Sequence, residues 1–307
     1  MFDSQNNSFA LHQFGLSVSK LPKEGFGGLV NVTVGSDAQV IHSFPEGAGG
    51  SMFDITQAYA QYSGGPLTLI AGKFATLQGT EVIWSPSNAN VSRSILFGAI
   101  PFTHTGVRAT WALSDTVSLI GGVNNGWDQL TDRNRDKTVE LGATLNPIKP
   151  LNIAISGYSG KEPAPLPTSA SSGTRTSINA TGSYNITDAI SVGAEVLNVT
   201  QDIPGAGGAT TSVKYTGVAG YGSYTFTRKL RGALRIENFD DKDGRLFGVV
   251  GTKYKEVTAT GAYLAADNFE GRVELRRDQA NNAVFRDYQG AASKTLMTIA
   301  LQGLYKF

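Results

Sequence analysis

Few side chains in this sequence are spaced for chemistry. The three histidines, His12, His42 and His104, lie far apart, and none stands in a metal-ligand spacing such as H-x-x-x-H. With no cysteine in the chain, thiolate metal sites, disulfides and a Cys nucleophile are all excluded. No G-x-S-x-G occurs, so a nucleophile elbow is absent and no catalytic residue is assigned. His104, in Phe102-Thr-His-Thr105, is expected to be a hydrogen-bonding residue of a rim or lumen.

Two further stretches resemble ligand loops and fail the test. Asp240-Asp-Lys-Asp-Gly244 alternates carboxylates as a calcium loop begins, but its twelfth position falls on Gly251 instead of a glutamate. Glu46-Gly-Ala-Gly-Gly-Ser51 and Pro204-Gly-Ala-Gly-Gly-Ala209 precede neither a helix nor a Lys-Ser/Thr pair, so they are loop tips and not phosphate cradles. Neither a metal nor another cofactor is implied. The 26 Lys+Arg against 25 Asp+Glu, a net charge of +1, give no reason to invoke nucleic acid.

The charges make sense once the elements that carry them are considered. No window holds the roughly 18 consecutive apolar residues of a membrane helix, mean hydropathy is slightly negative, and no convincing helical period occurs. What recurs is alternation with period two. In Phe269–Arg276, Phe269, Gly271, Val273 and Leu275 share one face while Glu270, Arg272, Glu274 and Arg276 share the other. Leu230–Glu237, Val139–Leu145, Ile190–Leu197 and Thr295–Phe307 repeat the pattern. So do stretches near 10–18, 26–35, 54–63, 67–76, 103–113, 117–126, 151–158, 177–185, 215–226 and 254–264.

That amounts to about fifteen strands of bilayer-crossing length. Their connections alternate strictly. Short turns fall near Lys20–Gly25, Ser63–Pro66, Ser114–Thr116, Pro147–Pro150, Asn185–Ala189, Thr227–Lys229 and Ala265–Asn268. Long loops fall near 36–53, 77–101, 127–137, 160–174, 201–213, 240–253 and 278–294. This predicts an all-β fold: one transmembrane, antiparallel, up-and-down β-barrel over 1–307, in outer-membrane lipid, with short turns and C-terminus periplasmic and long loops outward. A soluble sandwich would fill its apolar faces with large residues, whereas here Gly and Ala are interspersed.

Parity adds an expectation. The last strand must end on the short-turn side, which makes the strand at 10–18 begin on the long-loop side. Fifteen is odd, so about sixteen are expected, with one strand preceding Met1; a miscounted strand in a long loop is the other solution. No signal peptide opens the sequence, since Met1 is followed by Phe2-Asp-Ser-Gln-Asn-Asn-Ser8, so export would make this a mature or trimmed chain.

The sequence resembles the OmpL-like β-barrel porins of Gram-negative bacteria. The likeness rests on Asn7-Ser-Phe-Ala-Leu-His-Gln13, Gly72-Lys-Phe-Ala-Thr-Leu77, Ser92-Arg-Ser-Ile-Leu-Phe-Gly98, Pro101-Phe-Thr-His-Thr-Gly-Val-Arg108, Val123-Asn-Asn-Gly-Trp-Asp128, Asn238-Phe-Asp-Asp-Lys-Asp-Gly244 and Leu304-Tyr-Lys-Phe307. It implies an outer-membrane porin with a further strand upstream of Phe2-Asp-Ser. It also makes terminal Phe307 the signal read by the barrel-insertion machinery.

Function is then expected in the lumen. If apolar faces meet lipid, Arg108, Glu140, Glu195, Arg231, Arg235, Glu237, Glu256, Glu270, Arg272, Glu274, Arg276 and Lys306 point inward, because an Arg or Lys on the lipid face costs about 2–4 kcal/mol near the midplane. Sixteen strands leave an aqueous channel, and a lumen with both charge signs suits passive diffusion of small hydrophilic solutes. A non-conducting structural barrel, a sheath or a partner-binding surface protein, is the alternative; a homo-oligomer is compatible with either. Loop 77–101 contains Trp84, Ile95, Leu96 and Phe97, which need burial. Folded into the lumen, it would present Glu81, Trp84, Arg93 and Phe97 as candidates for a constriction; packing outward over the rim or onto a neighbouring subunit is the other way to bury it.

Overall fold

The structure is a computed structural model describing residues 7–45, 50–163 and 172–307. Seventeen strands are present among them. β1 (Phe14–Lys20) to β4 (Leu67–Ala75) form two hairpins, with β2 at Gly25–Val34 and β3 at Phe53–Gly64. β5 (Thr103–Ala112), β6 (Val117–Asn124), β7 (Thr138–Ile148) and β8 (Leu151–Pro163) follow. Next come β9 (Ser172–Asn185), β10 (Ile190–Pro204), β11 (Thr210–Thr225) and β12 (Leu230–Asp241). β13 (Thr252–Ala266), β14 (Phe269–Ala280) and β17 (Thr295–Tyr305) complete the large sheet; β15 (Phe285–Arg286) and β16 (Ala292–Ser293) make a small hairpin in the last long loop.

The large sheet holds 15 strands in chain order, every neighbour antiparallel, from β1 through β14 to β17. This is the up-and-down arrangement expected. Short turns are pinned by hydroxyls: Thr187 and Thr227 Oγ1 accept the amides of Ile190 (3.1 Å) and Leu230 (3.0 Å). An Oγ that satisfies a turn amide locally lets the chain reverse within a few residues.

Alternation gives each strand two different faces. Outside stand Val18, Val107, Leu141, Ile178, Val196, Leu234, Val257 and Leu275, all exposed. Near the short turns this surface carries exposed aromatics, among them Phe26, Tyr62, Trp111, Tyr224, Phe226, Tyr263 and Tyr305. Rings gathered at one level of an apolar exterior match a membrane interface. Inside, polar residues are interrupted by an apolar core. Leu197, Val199, Tyr215 and Phe239 of the wall pack on Leu96, Ala99 and Ile100 of the β4–β5 loop.

The two edge strands are not hydrogen-bonded to each other. Both run from the long-loop end to the short-turn end, so direct pairing would be parallel. A groove of ≈ 860 Å³ separates them, lined by Leu11, Phe14, Leu301 and Phe307 among others. Phe14 and Phe307 stack across it with ring centroids 6.2 Å apart.

Two local features depart from expectation. The first strand starts at Phe14 and not near residue 10, because the carbonyls of Leu11 and His12 accept the amides of Ser36 (3.1 Å) and Asp37 (3.0 Å). Those amides open α1 (Ser36–Ile41), a six-residue helix that the sequence did not announce. At the other extreme, β10 and β11 run on to Pro204 and Thr210, shortening the loop between them.

Candidate functional site

The β4–β5 loop, residues 76–102, lies inside the barrel and crosses it. Its first residues climb the wall of β8–β10. Leu77 N donates to Tyr158 Oη (2.8 Å), Gly79 N to Asn179 Oδ1 (3.1 Å) and Thr80 N to Glu195 Oε2 (2.9 Å). Farther on, the amides of Ile95 and Leu96 donate to the two oxygens of Glu237 on β12, at 2.7 and 2.6 Å. Those of Val91 and Ser92 donate to Glu274 on β14, at 2.6 and 2.9 Å. At the far side Ser85 N donates to Gln13 Oε1 (2.9 Å), and Trp84 covers Gly15 of β1 so closely that a Cβ there would overlap its ring. A carboxylate accepting two successive main-chain amides is a strong, charge-assisted clamp.

The expected lumen residues fall into two groups. Most are inward and covered. Glu140, Glu195, Arg235, Glu237, Glu256, Arg272 and Glu274 are each less than 5% exposed, with Arg108 and Glu270 little more. They form ion pairs: Arg108 Nε with Glu140 (2.5 Å), Arg235 Nε with Glu256 (2.9 Å), Arg272 Nε with Glu270 (2.6 Å) and Arg276 Nη2 with Asp278 (2.7 Å). Arg231 pairs with Glu270 but stays half exposed, and Lys306 is exposed just beyond β17.

The four constriction candidates are placed by the loop's own packing. Glu81 accepts Ser94 N (2.7 Å) and Arg235 Nη1 (2.6 Å). Arg93 braces the loop, donating to the carbonyls of Val82 (3.0 Å), Val91 (3.1 Å) and Ile83 (3.2 Å). Phe97 is buried beside Ile41, Ile83 and Phe102. These side chains shape the loop, and Trp84 seats it on β1. Sequence inspection missed the anchors Asn179, Tyr158 and Asn90, whose Nδ2 donates to Thr260 Oγ1 on β13 (2.8 Å); nothing distinguishes them from other polar residues of strands and loops.

The remaining motifs resolve as ordinary structure. His104 is fully buried, stacked on Tyr158 with centroids 4.4 Å apart, its Nδ1 3.1 Å from the carbonyl of Gly126. In the stretch that begins like a calcium loop, Asp241 accepts Phe247 N (2.8 Å), Asp243 accepts Lys214 N (2.8 Å) and Asp240 pairs with Lys253 at 3.6 Å. No group of metal-ligating side chains occurs among the described residues. Residues 46–49, in the first glycine-rich tip, fall outside them.

Asp128, in the loop after β6, closes the top of this assembly. Its Oδ1 accepts the amides of Phe102 (2.8 Å) and Thr103 (2.9 Å), fixing the loop's exit into β5. Burial pushes its carboxyl up to about 7 from 3.8, with the two amides pulling the other way. A raised carboxyl keeps its proton in the folded state where the unfolded chain has lost it. Stability is therefore fullest below about pH 4 and falls as pH rises to about 7. Asp128→Asn keeps an acceptor oxygen without the charge. Its unfolding temperature in detergent is expected to vary less between pH 5 and 8 than that of the unmodified protein; equal slopes would show that Asp128 does not titrate there.

Comparisons place this architecture. No curated protein sequence matches the chain. Among solved structures, the outer membrane channel DcaP of Acinetobacter baumannii superposes with TM-score 0.67 at 16% identity, covering 95% of this chain and 84% of that one. OmpT, an outer membrane protein of Vibrio cholerae, gives 0.64 at 12% identity, covering 95% and 88%. OmpF of Salmonella typhi, solved in complex with daunomycin, gives 0.61 at 14% identity, covering 96% and 89%. At such identities the likeness is one of fold. The family model described as "Putative beta-barrel porin-2, OmpL-like" matches residues 1–305, so this chain belongs to that family of outer-membrane porins.

Proposed function

We propose that this porin passes small hydrophilic solutes by passive diffusion, and that the β4–β5 loop sets its aperture. One observation carries the second part: the loop reaches from Tyr158 on β8 through Glu195, Glu237 and Glu274 to Gln13 beside β1, so it occupies cross-section that water would otherwise fill. The paired charges of the wall support both the loop and a wet remainder. Arg231 and Lys306 keep exposed surface, while the buried pairs hold the loop.

The long loops face outward and the C-terminus lies in the periplasm in this reading, supported by the aromatic level at the short turns. Phe307 serves as the assembly signal. The trimer form solved for OmpT of Vibrio cholerae makes a homotrimer a natural assembly to look for by crosslinking. Purified protein in planar bilayers is expected to give stepwise, ohmic conductance. A bilayer that stays sealed at every protein concentration, with the barrel folded, would favour a closed structural barrel instead.

A further inference from the structure

Within the wall every arginine clamped by the loop has a carboxylate. Above it, at the long-loop end, three partly buried arginines do not. Arg175 on β9 and Arg245 in the β12–β13 loop both donate to one neutral acceptor, Gln201 Oε1. The distances are 3.1 and 3.0 Å from Arg175 Nε and Nη2, and 3.0 Å from Arg245 Nε. Arg133, in the β6–β7 loop, donates Nε to Gln129 Oε1 (2.9 Å), and its buried Nη1 has no hydrogen-bond partner. None of the three has an acidic group within 4.0 Å among the described residues.

The nearby acids are already engaged. Glu162 accepts Trp127 N (3.0 Å) and Thr138 Oγ1 (2.8 Å), and Asp241 accepts the amides of Leu246 and Phe247. Two guanidiniums on one amide oxygen repel each other, and Arg245 is held below its ordinary basicity by burial and by Arg175. Arg175 also lies over the Trp127 ring, 4.6 Å from its centroid, and the buried Trp127 Nε1 has no acceptor. Beneath them is the apolar core of Leu96, Ile100, Leu197 and Val199. The cluster thus offers forked donors held on neutral acceptors, with Glu162 and Asp241 near enough to act on the arginines but bonded to other donors.

We propose that Arg133, Arg175 and Arg245, with Trp127, form a binding site for small organic carboxylates at the loop end of the lumen. The guanidinium fork matches a carboxylate bidentately, and half-buried Leu246, beside Arg245 and packed on the core, leaves apolar surface for an alkyl body that inorganic anions lack. This deepens the channel function, giving the pore a substrate class; it rests on the long-loop end being an entrance.

Two readouts separate the site from the channel. Butyrate titrated into the detergent-solubilised protein is expected to change the fluorescence of Trp127, isolated from Trp84 and Trp111 by comparison with Trp127→Phe. In bilayers, butyrate should interrupt the current. Arg175→Gln with Arg245→Gln should raise both half-effective concentrations at least tenfold, while Lys255→Gln, a loss of positive charge on the barrel exterior, leaves them unchanged. Butylammonium should give no response, and inorganic phosphate one several-fold weaker. Fluorescence binding without conductance would overturn the channel function and leave the site standing. Conductance with no butyrate response, or an equal response in the double variant, would overturn the site. Should the double variant fail to fold, Arg245→Gln alone, in a loop, is judged by the same criteria.

Discussion

Replacing Glu237 and Glu274 together by alanine is expected to raise single-channel conductance severalfold and to weaken ion selectivity. Each carboxylate holds two successive loop amides at 2.6–2.9 Å. Hydrogen bonds to a charged group contribute about 1.5–3 kcal/mol each, so losing four outweighs the packing of Leu96 on its own. That packing is close: a Cβ on Gly217 of β11 would stand 2.6 Å from Leu96 Cδ1, so the wall keeps a glycine where the loop leans on it. The glutamine pair, which retains an acceptor oxygen at each site, should fall between the unmodified protein and the alanine pair. Deleting Ser85–Val91 sets the upper limit, since it removes the segment that reaches β1 and β14. Unchanged conductance in a folded alanine variant would show that the loop does not limit the pore.

How much of this was legible in the sequence differs by element. The strands were, because a wall between lipid and a polar interior forces side chains of opposite character onto alternate residues, as Phe269–Arg276 shows. Their outer ends were not. Beyond Thr200 and before Tyr215 both faces carry polar residues, so alternation loses its contrast although pairing continues to Pro204 and Thr210. Leu197 stood on the face expected to be polar, and its contact with the loop core explains why. That the 77–101 loop must bury Trp84 and Ile95–Phe97 was legible; that it does so inward and not over the rim was not, because apolar residues ask for cover without saying on which side. The loop's clamps were not legible either, because they are made by main-chain amides that every residue possesses. The mouth arginines were missed for a third reason: positions 133, 175 and 245 converge only once β7 to β12 have wound around the barrel.

Arg235 is where loop and wall share a single buried charge, and its removal should have the largest effect on stability. The side chain is fully buried. Nε donates to Glu256 (2.9 Å), and Nη1 to Glu81 (2.6 Å) and the carbonyl of Ser92 (2.9 Å). Nη2 reaches Ser92 Oγ at 3.1 Å. One guanidinium thereby neutralises a wall acid and a loop acid and satisfies the loop backbone between them. Arg235→Met matches the length but leaves Glu81 and Glu256 without the cation that hydrogen-bonds them both, a loss of about 3–5 kcal/mol for a broken buried pair. Arg235→Lys should recover only part of it, because an ammonium is a point charge that cannot span both acids as a fork does. Adding Glu256→Gln and Glu81→Gln to Arg235→Met removes the stranded charges. The triple variant should therefore be more stable than Arg235→Met alone, a non-additivity measurable by denaturant unfolding in detergent. The triple variant should also conduct with more open-state noise, since Glu81 no longer ties the loop to β12. If the three substitutions simply add, the buried network contributes no coupling and the loop is held by its amide clamps alone.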